Sequence, residues 1–136
     1  MPNKTIDEVC ALLGAYPEAR AAAVQGQSYV TLLPLLEYPL PEVQAQLPAG
    51  LTKAGLSPEE AVCISPERLV LFALTASWGS HWPELAVSWL ESGLPISPAI
   101  AHALNALSQD KRFPQSVRHR GFALAKRWAR SKGSRA

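Results

Sequence analysis

The sequence has no acidic residue after Asp110. Residues 1–110 hold all eleven Asp and Glu side chains against four Lys and Arg, which gives this part a formal charge of −7. Residues 111–136 carry nine Lys and Arg, and the net charge of +2 conceals this division. Such an asymmetry indicates a charged partner, or a basic segment that folds back on an acidic body.

Long apolar runs are also missing. The longest uncharged apolar run covers residues 69–78, whereas a helix that crosses a bilayer needs about 20 such residues. The first residues do not form the apolar stretch of a signal peptide, so the sequence predicts a cytoplasmic protein with no transmembrane segment. Cys10 and Cys63 have no CxxC partner and are expected to be reduced and buried.

Motifs that carry catalysis are absent as well. The sequence contains no GxSxG, P-loop, HExxH or CxxC pattern, and no GxGxxG after a strand. The three histidines, His81, His102 and His119, fall in three different predicted segments. Adjacent Glu59 and Glu60 stand at a predicted helix start, where the helix dipole attracts acidic side chains. The sequence therefore predicts a protein that is not an enzyme, with no metal site and no cofactor.

What the sequence does contain is a helical pattern. Four prolines mark the starts of predicted helices: Pro66, Pro83, Pro98 and Pro114. They lie 17, 15 and 16 residues apart, which indicates a helix-hairpin repeat of the kind that stacks in α-solenoids. Residues 5–8 and 57–60 have the form of capping boxes, which open helices. Alternating β-branched runs are missing, so a sheet is not expected.

These signals predict an all-α fold of stacked antiparallel helical hairpins, as a short α-solenoid or a compact bundle of about seven to eight helices. Residues 1–130 are predicted to form a single helical domain, and residues 131–136 a flexible basic tail. The helix that begins at Pro66 is apolar on nearly all sides and is expected to be central and buried. Trp89 is expected to fill the core.

The segment between residues 26 and 57 is rich in proline, and its layout stays open. A helix over residues 29–38 is expected to kink or split at Pro34, because proline lacks the N–H and crowds the preceding turn. A short helix is expected over residues 42–47.

A family resemblance appears in the second half. Phe113-Pro-Gln-Ser-Val-Arg118, followed by Ala123-Leu124, resembles the second helix of a HEAT-type repeat, in which proline precedes a Val-Arg pair and an Ala-Leu packing face. The resemblance implies paired antiparallel helices. Fold alone does not give function.

An aromatic cluster surrounds the predicted loop before Pro83. Trp78, His81 and Trp82 lie close together there, and tryptophan is frequent at binding hot spots. These three residues are candidates for a contact surface on the loop side of the helical stack. The alternative is that Trp82 belongs to the apolar stripe of its helix and fills the core.

The C-terminal segment predicts a basic amphipathic helix, with apolar residues on one face. Its basic face comprises Arg118, Arg120, Lys126, Arg127 and Arg130. Four interpretations remain open. The helix can be the last one of the fold with a solvated cationic face, or it can bind nucleic acid phosphates. It can also lie on an anionic membrane, or meet an acidic partner protein or the acidic body itself.

A small helical protein without a catalytic set is most often a protein-binding module. In size, helical build and acidic body the chain is similar to bacterial immunity proteins, which neutralise toxins. That similarity implies a toxin domain as partner, occluded at its active site by an acidic surface. The candidate surface residues are Glu37, Glu42, Glu59, Glu60, Glu84 and Glu91. The alternative function is a nucleic-acid-binding accessory protein that uses the basic helix.

Overall fold

The computed structural model describes residues 5–75 and 79–133, and all regular structure in these ranges is helical. There are eight α-helices and one 3₁₀ helix in the described part of the chain. They are α1 (Ile6–Ala15), α2 (Pro17–Val24), the 3₁₀ helix (Val30–Glu37), α3 (Leu40–Lys53), α4 (Pro58–Ala61), α5 (Pro66–Thr75), α6 (His81–Glu91), α7 (Pro98–Ser108) and α8 (Gln115–Gly133). The predicted all-α class is confirmed.

Helix starts follow the predicted caps. In α1 the Thr5 hydroxyl accepts a hydrogen bond from the Glu8 N–H at 3.1 Å, and the Glu8 carboxylate accepts one from the Thr5 N–H. Ser57 and Glu60 form the same reciprocal pair at α4. In α7 the Ser97 hydroxyl accepts from the Ile100 N–H at 3.2 Å. Each cap satisfies backbone donors that the first helical turn leaves unpaired.

The second half of the chain consists of two stacked hairpins. Helix α5 packs against α6, and α7 packs against α8. The hairpins then stack in register, because α5 also contacts α7 and α6 also contacts α8. This arrangement explains the regular spacing of the prolines, since each one lies within the first turn of a helix of the repeat or directly before it.

The first half is built around α1, which packs against α2, α3 and the 3₁₀ helix. The 3₁₀ helix then joins the two halves, because it contacts both α6 and α5. Its apolar residues Leu32, Leu33, Leu35 and Leu36 are all buried. The indole Nε of Trp89 in α6 donates a hydrogen bond to the Tyr38 carbonyl at 2.9 Å, directly after this helix. Trp89 lies in the core as expected.

The layout of the proline-rich segment corrects two expectations. Residues Val30–Glu37 form a 3₁₀ helix rather than a split α-helix. Helix α3 covers 14 residues and includes Pro48, so the predicted short helix over 42–47 was wrong. Leu40, Val43, Leu47 and Leu51 of α3 are all buried. This apolar face continues past the proline, and its burial outweighs the loss of one backbone hydrogen bond at Pro48.

Helix α5 is less enclosed than expected. Leu69, Val70, Ala73 and Leu74 are buried, but Leu71 and Phe72 are only half-buried. Both side chains pack against the core and line hollows beside α5, the first of which α7 also lines. Helix α5 contacts α6, α7 and the 3₁₀ helix, so its predicted central position is confirmed, and only the burial of Leu71 and Phe72 is less complete than expected.

The C-terminal helix is longer than predicted. Helix α8 continues to Gly133, into the segment predicted as a flexible tail, and residues 134–136 lie outside the described residues. None of the helices in the described ranges combines the length and the apolar character that a membrane crossing requires. Both cysteines are free thiols, with Cys10 buried as expected and Cys63 only half-buried.

Candidate functional site

Arg120 fastens the basic helix to the acidic body. Its guanidinium donates hydrogen bonds to both carboxylate oxygens of Glu91, at 2.7 and 3.1 Å, and to the Ser88 hydroxyl at 2.9 Å. Its Nη1 also lies 3.8 Å from a carboxylate oxygen of Glu84. These acceptors all belong to α6. The hydrogen bond to Glu91 is the main reason that the pKa of Arg120 is raised.

Replacing Arg120 with alanine is expected to lower the free energy of unfolding by about 1 to 2 kcal/mol, since the guanidinium makes charged hydrogen bonds while one third exposed. The Arg127→Ala variant is the matched control, because Arg127 is exposed on the same helix and forms no ion pair with a described residue. Urea unfolding at low and high salt measures both. Equal losses in the two variants would show that Arg120 does not hold α8 in place.

The other predicted basic residues separate into two groups. Arg118 is half-buried and donates from Nε to the Phe113 carbonyl at 3.1 Å, so it closes the start of α8. The remaining three are exposed. Together with two neighbours they form a solvent-facing strip, the α8 stripe: His119, Phe122, Lys126, Arg127 and Arg130. The Lys126 ammonium lies over the Phe122 ring, 5.9 Å from its centroid.

The six predicted glutamates do not gather on one surface of unpaired acids. Four of them face cationic or histidine partners inside the chain: Glu60 with Arg20, Glu37 with His81, and Glu84 and Glu91 with Arg120. Glu42 and Glu59 are exposed in the first turns of α3 and α4, and neither forms an ion pair with a described residue.

The predicted aromatic loop is described only in part, and its described members His81 and Trp82 are the first two residues of α6 rather than loop residues. Trp78 lies outside the described residues. The rings of His81 and Trp82 meet edge to face, with centroids 4.5 Å apart, and Nε2 of His81 lies 3.3 Å from a carboxylate oxygen of Glu37. Trp82 is half-buried and packs against the core. Trp82 thus contributes to the core, whereas His81 lies beside Glu37, one of the six predicted acidic residues.

The ionisable groups with shifted pKa values are engaged in structural contacts. The Arg20 guanidinium lowers the pKa of Glu60 to about 2, mainly by a hydrogen bond. Arg112 lowers the pKa of Asp110 to about 2 in the same way. Burial, with a smaller contribution from Asp7, raises the pKa of the Cys10 thiol to about 11. At neutral pH these carboxylates stay ionised and the thiol stays protonated, so none is suited to exchange a proton.

A large concave feature lies along the side of α5 that carries Leu71. A cavity of about 670 Å³ opens between α5, α7 and the loop before α8, lined by Leu71, Leu74, Ala103, Leu107 and Phe113 among others. A second hollow of about 520 Å³, lined by Tyr29 and Phe72, shares Leu71 and Thr75 with the first. We call the two together the α5 trough. Sequence reasoning missed it, although the all-round apolar character of α5 was a signal.

Charged groups stand at both ends of the α5 trough. Arg112 and Asp110 form a bidentate pair at one end, with the shortest contact at 2.6 Å, and His102 lies nearby. Arg68 lines the other end and donates to the Cys63 carbonyl at 3.1 Å. Arg112 and Asp110 therefore neutralise each other, and Arg68 supplies positive charge at the other end of the apolar floor.

The described part of the chain contains no group of three or more His, Cys, Asp or Glu side chains close enough to hold a metal ion.

Comparisons with protein-family models, curated proteins and solved structures find no match to this chain.

Proposed function

We propose that the protein is a non-enzymatic binding module, and that its α5 trough receives an apolar segment of a partner protein. One observation carries this proposal: Leu71 and Phe72 belong to a central helix of the fold, yet they line an open hollow. Apolar hollows with a few polar groups at the rim are typical binding sites.

The shape and charge of the trough define the partner segment. Its walls are helices, and the described chain offers no strand edge to which a partner strand could pair. An amphipathic helix is therefore the expected occupant, with apolar side chains at i, i+3 or i+4 and i+7 as anchors. An acidic residue at the end of the segment that lies near Arg68 would complement its charge.

The narrower form of the proposal is an immunity protein that neutralises a bacterial toxin by occluding its active site. Small size, helical build and the net charge of −7 in residues 1–110 support it. Since four of the six candidate glutamates already have partners in the chain, the trough supplies the main contact. Glu42 and Glu59 remain available to a basic toxin surface.

Site-specific photocrosslinking tests the proposal. A benzophenone side chain at position 71 is expected to capture one protein from host lysate, whereas the same group at Val30, which is exposed elsewhere, does not. The captured protein, once purified, should form a one-to-one complex with this chain. Leu71→Asp should weaken that complex roughly tenfold or more, as at a binding hot spot, while Val30→Asp leaves it unchanged.

Two results would count against these ideas. Equal capture at positions 71 and 30, or a complex indifferent to Leu71→Asp, would exclude the trough as the binding site. A captured partner without toxic activity would exclude the immunity role and leave the binding module standing.

The second candidate function is nucleic-acid binding through the α8 stripe. Lys126, Arg127 and Arg130 are exposed, form no ion pair with a described residue and flank an exposed aromatic ring. Three phosphate contacts predict a salt dependence with a slope of about −3 in log K against log salt. Gel shifts at low salt measure it, and a chain that shifts neither DNA nor RNA would exclude this function.

A further inference from the structure

A third hollow lies beside the first turn of α5, where Pro66 and Glu67 line it next to Arg68 of the α5 trough. It has a volume of about 350 Å³ and is formed by α3, α4 and the start of α5, with Leu47, Leu51, Ile64 and Val62 among its walls. It shares no lining residue with the trough. Val62 stands at 76% exposure, the highest among the exposed large apolar side chains of the described residues. We call this feature the α4 hollow.

The surroundings of the α4 hollow are acidic. Glu67 lines it directly. Glu59 precedes Val62 by three residues and therefore projects from the same side of this short helical segment. Both carboxylates are exposed, and neither forms an ion pair with any described residue. The α4 hollow thus combines an open apolar surface with unpaired negative charge.

The α8 stripe is complementary to the α4 hollow in both shape and charge. Phe122 is 52% exposed and projects apolar surface into solvent. Lys126 lies over its ring, and Arg130 follows one turn later on the same face. The α8 stripe therefore presents a projecting aromatic side chain flanked by cations. The α4 hollow presents a concave apolar surface flanked by carboxylates.

The α8 stripe and the α4 hollow belong to helices that pack against different neighbours. Helix α8 packs against α7 and α6, whereas α4 packs against α3, which in turn packs against α1. We propose that the α8 stripe of one molecule docks into the α4 hollow of a second copy, with Phe122 inserted beside Val62 and Lys126 facing Glu59 and Glu67.

This contact is heterologous, because it joins two different surfaces. A dimer then keeps one hollow unused on one molecule and one stripe unused on the other, so further copies add head to tail. The surfaces involved are small, which gives a weak, reversible association. Unpaired charges on both sides make it sensitive to salt. The unequal charge of the two parts of the sequence acquires a physical role, since the acidic body of one copy receives the basic end of the next.

A second copy fits the observations better than nucleic acid does. Only three Lys and Arg side chains of the stripe remain unpaired within the described chain, and the acidic body would repel phosphate. The chain itself supplies the apolar and acidic complement that Phe122 and Lys126 require. The proposal is independent of the α5 trough, whose lining residues take no part.

Sedimentation velocity with two complementary variants tests the proposal. Phe122→Ala/Lys126→Glu removes the stripe and keeps the hollow, and Val62→Asp removes the hollow and keeps the stripe. The wild-type chain at low salt is expected to rise above the monomer mass with increasing concentration, and to return to it at high salt. Each variant alone is expected to stay monomeric. An equimolar mixture of the two variants is expected to form a dimer that grows no further.

Matched controls separate docking from general charge effects. Val30→Asp places the same acid at another exposed valine, and Lys111→Glu reverses another exposed lysine. Both are expected to associate as the wild type does, and circular dichroism checks that all variants are folded. A monomeric wild type, a monomeric mixture, or self-association of either variant alone would overturn the proposal. Retardation of DNA, or binding to anionic vesicles, by a monomeric wild type would reassign the stripe.

Discussion

Replacing Trp89 with alanine is expected to lower the free energy of unfolding by about 3 to 5 kcal/mol, the loss typical of a large buried aromatic side chain. Trp89 is only 3% exposed and belongs to the single core cluster. Its indole also donates to the Tyr38 carbonyl at 2.9 Å, so it connects α6 to the end of the 3₁₀ helix.

The Trp89→Phe variant separates packing from hydrogen bonding. It keeps most of the apolar volume but leaves the Tyr38 carbonyl without its indole donor, which should cost about 1 to 3 kcal/mol. Trp82→Phe serves as the control, because Trp82 is half-buried and packs at the edge of the core. Urea unfolding should rank the losses as Trp89→Ala, then Trp89→Phe, then Trp82→Phe. Equal losses in the two phenylalanine variants would contradict a special role for the Tyr38 contact.

Local signals in the sequence predict much of this fold. The caps at Thr5, Ser57 and Ser97 depend on residues within one turn, and each is present in the structure. The proline spacing predicts the two hairpins, because it reflects helix length and loop length together. Helix α3 escaped prediction since Pro48 is a local signal to stop, whereas the burial of Leu47 and Leu51 against other helices is not local.

The candidate sites were harder to predict because they depend on distant pairs. Arg20 meets Glu60 across 40 residues, and Arg120 meets Glu91 across 29. A sequence shows that such charges exist but not which of them pair, and pairing decides which remain free for a partner. The α5 trough also depends on distant residues, since the periodicity of α5 cannot show that Leu71 lines a hollow between α5 and α7.

Replacing Gly14 with alanine is expected to lower the free energy of unfolding by about 1 to 3 kcal/mol, the usual cost of overpacking a tight contact. In an open helix interior the same change would stabilise by up to about 1 kcal/mol, because alanine favours the helix more than glycine does. The sign reverses here because a Cβ on Gly14 would stand 2.5 Å from the Ala54 carbonyl oxygen at the end of α3.

The Gly121→Ala variant is the matched control for the expected loss of stability in Gly14→Ala. A Cβ there would lie 2.9 Å from Cδ2 of Leu107, the end of a flexible side chain, and its nearest backbone atom, the Leu104 carbonyl oxygen, is at 3.7 Å. Leu107 can adjust its rotamer, whereas the Ala54 carbonyl moves only if α1 and α3 separate. Gly121→Ala is therefore expected to change the stability by less than about 1 kcal/mol. If urea unfolding shows Gly14→Ala to be neutral or stabilising, the close approach of α1 to the end of α3 does not constrain the fold.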